Sequence, residues 1–312
     1  MPERETFESL RPLLFSIAYD MTSSVSAAED LVQDAFLRYE RALREGAAVG
    51  STKAYLSTVV TRLAIDELRS ARARREAYAG EWLPEPLLTD EEFDDPQAHA
   101  EQAESVSMAF LLVLERLSPV ERATFLLHDV FGYDYAEIAR IIGKGEANTR
   151  QIALRARRHV QAERPRFDPT PAERERLAAR FFTAVAEGDL DGLVAVLAAD
   201  VVVHGDGGGK APQWATAIVG AERVARLFVG LGRQMHAHGL RLERHWVNGQ
   251  PGALVIDPAG RLINVFCLDV QAAAIQTIRS VINPDKLRHL GPVADVRALA
   301  RGSEQQRESG LT

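Results

Sequence analysis

Apolar residues recur every three to four positions through the first eighty residues, at Leu10, Leu14 and Ile17 and later at Leu56, Val60 and Leu63, which predicts amphipathic helices rather than strands. Ser26-Ala-Ala-Glu29 has the spacing of a capping box and predicts the start of a second helix. Beyond Gly80 the periodicity stops. Pro84, Pro86 and Pro96 break helical continuity, so residues 80–104 read as a linker. Ser118-Pro119-Val120-Glu121 then joins an N-cap, a first-turn proline and a capping glutamate, and Asp134-Tyr-Ala-Glu137 repeats the pattern with Asp as cap. The helix opened by Asp134 is expected to run to Ile142, to break at Gly143 and Gly145, and to be followed by a long helix from about Glu146 to Glu163. Two helices around a short glycine-containing turn predict a helix-turn-helix.

After Arg166 the pattern changes. Thr170-Pro171-Ala-Glu173 caps a helix that carries Leu177, Phe181 and Val185 on one face and ends at Gly188. A second helical pattern runs through Leu190, Leu193, Val194 and Leu197, and a third through Val224, Leu227, Phe228 and Leu231. The apolar run Val201 to Val203 and later runs punctuated by Asn248-Gly249 and Asp257-Pro-Ala-Gly260 predict strands joined by turns. Helices first and strands last imply an α+β domain. The tail after about Leu290 is expected to be disordered.

A chain of 312 residues, 46% hydrophobic, is long enough for two or three compact units. No apolar run approaches a membrane span, and Met1 to Leu10 mixes charges with too little apolar length for a signal peptide, so the cytoplasm is the expected compartment and no membrane partner is expected. The lone Cys267 sits in an apolar stretch and reads as packing, and the eight histidines show no metal spacing. A net charge of −7 would argue against nucleic acid were it evenly spread. It is not: Glu81 to Glu104 carries nine acids and no Lys or Arg, whereas Arg140 to Arg166 carries eight basic residues against two acids. A helix entering the DNA major groove needs cations for phosphates and hydrogen-bonding side chains for base edges. Asn148, Arg150, Gln151, Arg155, Arg157 and Arg158 supply both on the predicted second helix of the helix-turn-helix, and Lys144 adds a cation in the turn before it. Arg62, Arg69, Arg72, Arg74 and Arg75 form a weaker basic series upstream, for which a solvated face is an equal reading.

In their order these features resemble the sigma-70 family. Ala28-Glu-Asp-Leu-Val-Gln-Asp-Ala-Phe-Leu-Arg38 is similar to the segment that docks on the polymerase β′ subunit, which implies Glu29, Asp30, Leu31, Gln33, Asp34 and Phe36 as core-polymerase residues. Tyr55-Leu-Ser-Thr-Val-Val-Thr-Arg-Leu-Ala-Ile-Asp66 looks like the helix that reads the −10 element, implying Tyr55, Arg62, Asp66, Arg69 and Arg72. Leu117 to Arg158 is similar to the region that binds the −35 element. The reduced two-domain form with an acidic linker resembles the extracytoplasmic-function subgroup. Departures from the family pattern stand at Tyr55, where Trp is common, at Arg62, where Asn is common, and at Thr149 and Ala153, where larger aliphatics are usual. They bear on promoter preference.

Phe181-Phe-Thr-Ala-Val-Ala-Glu-Gly-Asp-Leu-Asp-Gly-Leu193 and Leu197 to Lys210 resemble SnoaL-like members of the NTF2-like superfamily, a sheet wrapped by helices into a cone around a pocket. Sigma factors of the SigJ type carry this fusion and three further motifs, all present here: Trp82-Leu83-Pro84-Glu85-Pro86, Asp206-Gly207-Gly208-Gly209-Lys210 and Asn283-Pro284-Asp285-Lys286-Leu287.

The expected organisation is multidomain. Residues 1–79 form a helical region 2, 80–104 the linker, 105–166 a helix-turn-helix region 4 and 167–290 the SnoaL-like domain, with 291–312 the tail. Two all-α domains thus precede one α+β cone. The resemblance implies a transcription initiation factor whose partners are core RNA polymerase (β′ and β subunits) and promoter DNA at the −35 and −10 elements. It also implies regulation in cis by the C-terminal domain and an unidentified small ligand in its pocket. No cofactor, metal or catalytic residue is expected, although His204 and Asp206 fall where a pocket mouth is expected. Two alternatives stay open: a pocket enzyme or ligand sensor with a DNA-binding N-terminal half, and a DNA-binding repressor that never meets polymerase.

Overall fold

In a computed structural model of the chain, residues 2–89, 106–163, 169–214 and 216–296 are described. They fall into two compact units, one made of 1–77 with 109–164 and the other of 78–108 with 165–312. The segment expected as a linker therefore groups, in its described part, with the C-terminal unit. The acidic run from Asp90 to Glu104 lies outside the described residues.

The first unit is helical. α1 (Pro2–Thr22), α2 (Val25–Arg44) and α3 (Thr52–Glu76) pack around Leu14, Ile17, Leu56 and Val60, which the periodicity predicts, together with Tyr19 and Val32, while Leu10 and Leu63 of the same pattern are half-buried. The cap of α2 is not Ser26 but Ser24, whose Oγ accepts from the Ala27 amide at 3.1 Å. Val25 is buried and must enter the helix, so the helix begins earlier than the Ser26 capping box implies. α4 (Met108–Leu114), α5 (Pro119–Phe125), a π-helical turn (Leu126–Val130), α6 (Tyr135–Ile142) and α7 (Glu146–Glu163) follow. Both expected capping boxes are present, Ser118 with Glu121 and Asp134 with Glu137. Gly143 ends α6 at φ 66°, a conformation that glycine adopts without a Cβ penalty. Thr149 and Ala153 are fully buried on α7, so these departures from the family pattern occupy core positions, and the Thr149 hydroxyl is satisfied by the Gly145 carbonyl.

The second unit is a helix-on-sheet α+β domain. α8 (Pro171–Glu187), capped by the Thr170–Glu173 box, α9 (Leu190–Val194) and α10 (Ala221–Ala237) accompany a six-stranded mixed sheet. Its strands are β1 (Leu197–Asp206), β2 (Ile218–Val219), β3 (Arg241–Val247), β4 (Gln250–Ile256), β5 (Leu262–Gln271) and β6 (Ala274–Val281), in the order β2-β1-β6-β5-β4-β3. Only β1 and β6 run parallel among these pairs. Leu197, expected on a helix, begins β1 instead. Asn248 and Gly249 both take positive φ, as a two-residue hairpin between β3 and β4 requires. Phe181, Phe228 and Phe266 link the helices to one sheet face, with ring centroids 4.9 and 5.5 Å apart. Residues 291–296, expected as disordered tail, are instead ordered: the Leu262 amide donates to Pro292, the Ala294 amide donates to Leu262, and Ala294 is buried. Residues 297–312 lie outside the described residues.

Candidate functional site

Strand β1 ends at Asp206, whose carboxylate is completely buried at the centre of a polar cluster. Lys286 donates to Oδ2 at 2.7 Å, the Tyr78 hydroxyl donates to Oδ1 at 2.6 Å and the Leu83 amide donates to Oδ2 at 2.9 Å. Lys286 also donates to the Leu83 carbonyl, and its ammonium lies 4.3 Å from the Trp82 ring centroid and 5.0 Å from that of Tyr78. A buried charge persists only when paired and hydrogen-bonded, and here each partner satisfies the other. Burial, with the hydrogen bond to Asp206, pushes the Tyr78 phenol up, so it stays a donor at any physiological pH.

The three sequence motifs thus meet at one ion pair. Local geometry explains their residue types. Asn283 caps the 3-10 turn Pro284–Lys286 and donates to the Tyr78 oxygen at 2.7 Å. Gly208 sits at φ 57°, and a Cβ there would stand 2.2 Å from the Asn283 amide nitrogen, so only glycine admits this approach. Lys210 and Asp285 form an ion pair on the rim. The linker then continues along the sheet. The Leu87 amide donates to Asn248 Oδ1 and its carbonyl accepts from the Asn248 amide; the Thr89 amide donates to the Trp246 carbonyl, and Leu88 bridges Val247 in antiparallel fashion. Residues 87–89 are therefore added at the β3 edge of the sheet, while Tyr78 and Leu83 are held at the end of β1.

His204 does not line a pocket mouth. Its Nδ1 lies 2.5 Å from Glu81 of the linker, on the same strand face as Asp206. Despite partial burial, which raises it, the hydrogen bond and charge of His204 hold the Glu81 carboxyl below its ordinary value. The cavity opens between the helices and the sheet. It measures about 750 Å³ and is walled by Phe181, Phe182, Phe228, Val255, Ile263 and Phe266, with Asn264 as a polar group in the wall and Arg233 and His238 exposed at its edge. Asn264 is tied to Ser280, which also accepts from Gln213 at 3.2 Å. Neither His204 nor Asp206 is among its lining residues.

In the helical unit, Glu29, Asp30 and Gln33 are exposed on α2, while Leu31 and Asp34 are half-buried and Asp34 pairs with Arg38. Phe36 is half-buried and packs on Phe7 at 4.1 Å between centroids. On α3, Tyr55 packs against Tyr39, and Asp66 pairs with Arg69. Arg62 is turned onto α6, donating from Nε to the Ile141 carbonyl at 2.8 Å and from Nη2 to Arg140 at 2.9 Å, so it caps carbonyls that the helix end leaves unpaired. The side chain of Arg72 lies outside the described residues. Along α7, Arg150 pairs with Glu146, Arg155 with Glu121 and Arg157 with Asp129, while Asn148, Gln151 and Arg158, and Lys144 in the turn before the helix, are exposed.

Several residues of these sites escape sequence reasoning. Leu37 is 52% exposed beside the acidic face of α2 and Leu154 is 42% exposed on α7 between Gln151 and Arg158. Their signal was available: each is an apolar residue at a position where the helical period calls for a polar one. Tyr78 carried no local signal and Asn248 only that of a turn, because the partners that place them here are more than a hundred residues away.

Among known proteins, Sigma-70 region 2 matches residues 6–74, Sigma-70 region 4 matches 107–160 and the SnoaL-like domain matches 178–279. The chain is 39% identical over 310 residues to the ECF RNA polymerase sigma factor SigJ of Mycobacterium tuberculosis, covering 96% of this chain and 97% of that protein. It is 30% identical over 303 residues to the probable ECF RNA polymerase sigma factor SigI of the same species, covering 92% of this chain and 95% of that one. The crystal structure of M. tuberculosis SigJ is similar with a TM-score of 0.72 at 36% identity, covering 93% of this chain and 99% of that one.

Proposed function

Because the chain belongs to the extracytoplasmic-function RNA polymerase sigma factors, which direct core polymerase to promoters, we propose that its C-terminal unit regulates initiation in cis by holding residues 78–89 in the Asp206 clamp. The observation that carries this reading is the buried Lys286–Asp206 pair, which joins linker, β1 and the 284–286 turn. The linker is the only covalent connection between α3 and α4. Pinning 78–89 removes about 40 Å of its extended reach, and therefore limits how far the two DNA-binding parts separate. In the helical unit Arg62 is spent on α6, so a −10 role for it requires that contact to open.

The exposed face of α2, with Glu29, Asp30, Gln33 and Leu37, is the core-polymerase surface in this reading, acids supplying charge complementarity and Leu37 apolar area. Lys144, Asn148, Gln151 and Arg158 face the −35 element. Arg150, Arg155 and Arg157 are paired with protein carboxylates and reach a phosphate by exchanging those contacts or with the N–H groups that the pairs leave over. Leu154 stands on the same face and suits a thymine methyl group. A Leu154→Ser chain in reconstituted holoenzyme is expected to show a several-fold weaker preference for a T·A pair at one −35 position, with other positions unchanged; selection from a randomised promoter library reads this directly. The compartment is the one where core polymerase works, the cytoplasm; among the described residues no helix is long and apolar enough to cross a membrane.

The C-terminal unit is read as non-catalytic, since His204 and Asp206 are committed to the linker, away from the cavity. The cavity itself suits a small, mainly apolar molecule, whose binding would bias the clamp by its differential affinity for the two states. Run-off transcription with core polymerase tests the cis reading, comparing the full chain with one ending at Arg166, which lacks the surface that holds 78–89. A difference in yield is expected. Equal yields would overturn regulation in cis, and turnover of a small apolar substrate by the full chain would favour the enzyme alternative.

A further inference from the structure

Among the described residues of the helical unit, one buried acid is left unserved by its own architecture. Asp20 lies on the last turn of α1, and is 1% exposed. Neither of its carboxyl oxygens has a hydrogen-bond partner among the described residues. Beside it is Arg122 of α5, the largest fully buried side chain in the described protein. The guanidinium does not serve the carboxyl: Nε donates to the Asp20 backbone carbonyl at 2.9 Å, Nη2 to the Ser23 hydroxyl at 2.7 Å and Nη1 to Glu115 at 2.5 Å. Arg122 thus caps the C-terminus of α1 and ties it to the 109–164 half of the unit, with Glu115 balancing its charge.

From these positions we propose that Asp20 is a proton-linked catch between the two halves of the helical unit: the Arg122 interface closes over a neutral Asp20, and its opening releases a proton to water. This rests on the reading that α3 and α6 must part for promoter binding. Three features favour the neutral acid. Full burial removes the water that an ionised carboxylate needs. The negative end of the α1 dipole faces it. The ionised group acting on it is Arg122, itself paired with Glu115; three of its five N–H groups go to the Asp20 carbonyl, Ser23 and Glu115 and none is placed on the carboxyl, leaving only a through-space attraction. In keeping with this, burial pushes the Asp20 carboxyl well above the ordinary carboxylate range against the opposing pull of Arg122.

The sign follows from linkage. Above an ordinary midpoint near 4 the opened form has lost its proton, while the closed form keeps it up to the raised midpoint. In that window closing consumes one proton, so the closed arrangement weakens by up to about tenfold per pH unit as pH rises. Below the window the dependence vanishes.

The full chain is the material for the test. Carbon NMR of the Asp20 carboxyl should give a midpoint well above the ordinary aspartate midpoint near 4; a midpoint in the ordinary range overturns the proposal without any variant. Amide hydrogen exchange at Ser23 and Arg122, corrected for intrinsic rates, should lose protection with rising pH in the natural chain and stay level in Asp20→Asn, whose amide mimics the neutral acid in shape. An equal slope in both chains would overturn it. If both results hold but Asp20→Asn transcribes as the natural chain does at every pH, the catch stands and the view that the closed form is the restrained one fails.

Discussion

Replacing Asp206 by alanine is expected to lower the unfolding free energy of the C-terminal unit by about 3–5 kcal/mol. The change leaves the Lys286 ammonium buried with the Leu83 carbonyl and two aromatic faces, and takes the acceptor from both the Tyr78 hydroxyl and the Leu83 amide. Removing one member of a buried pair costs far more than the pair contributes, because the survivor cannot rehydrate. The measurement is unusually clean. All three tryptophans, Trp82, Trp214 and Trp246, lie in the C-terminal unit, so a urea titration followed by tryptophan fluorescence reports this unit alone. Lys210→Ala, which breaks an exposed pair of the same cluster, is expected to cost less than about 1 kcal/mol. Equal effects of the two changes would mean that the Asp206 pair is hydrated, and the clamp with it. Limited proteolysis of the Asp206→Ala chain should also cut within 78–89 at protease levels that spare the natural chain.

Arg122→Met should destabilise the helical unit by a similar amount, about 3–5 kcal/mol. Methionine keeps much of the volume but none of the three donors, so the Asp20 carbonyl and the Ser23 hydroxyl each lose a donor in a buried site and Glu115 loses its charge partner. Far-UV circular dichroism, dominated by helices α1 to α7, follows this transition. Arg157→Ala removes an ion pair with Asp129 at a partly exposed site on α7 and serves as the comparison, with an expected loss below about 1 kcal/mol. A small effect of Arg122→Met would indicate that the two helical halves do not stay closed in solution, which would also leave the proton catch without its interface.

Much of this protein is local and was therefore legible early. Capping boxes act within four residues, so Ser118 with Glu121, Asp134 with Glu137 and Thr170 with Glu173 can be read from spacing alone, as can the glycine stops at 143 and 188. The exception at Ser26 is instructive. Its spacing is right, but Val25 had to be buried, and burial of a side chain outweighs the choice between two serines as cap. The order of helical and strand patterns likewise fixes an α+β C-terminal domain after two helical ones.

Partners separated by long stretches of chain were a matter for tertiary structure. The sequence by itself determined the elements, their order and the three motifs, because each depends on side-chain chemistry within a few residues. Only the fold decided that the motifs converge on one buried ion pair, that Tyr78 and Asn248 complete the clamp, that His204 and Asp206 face the linker instead of the cavity, and that Asp20 is sealed beside an arginine whose donors point elsewhere. Each of these is a statement about desolvation, and no spacing along a chain says which charged groups will lose their water.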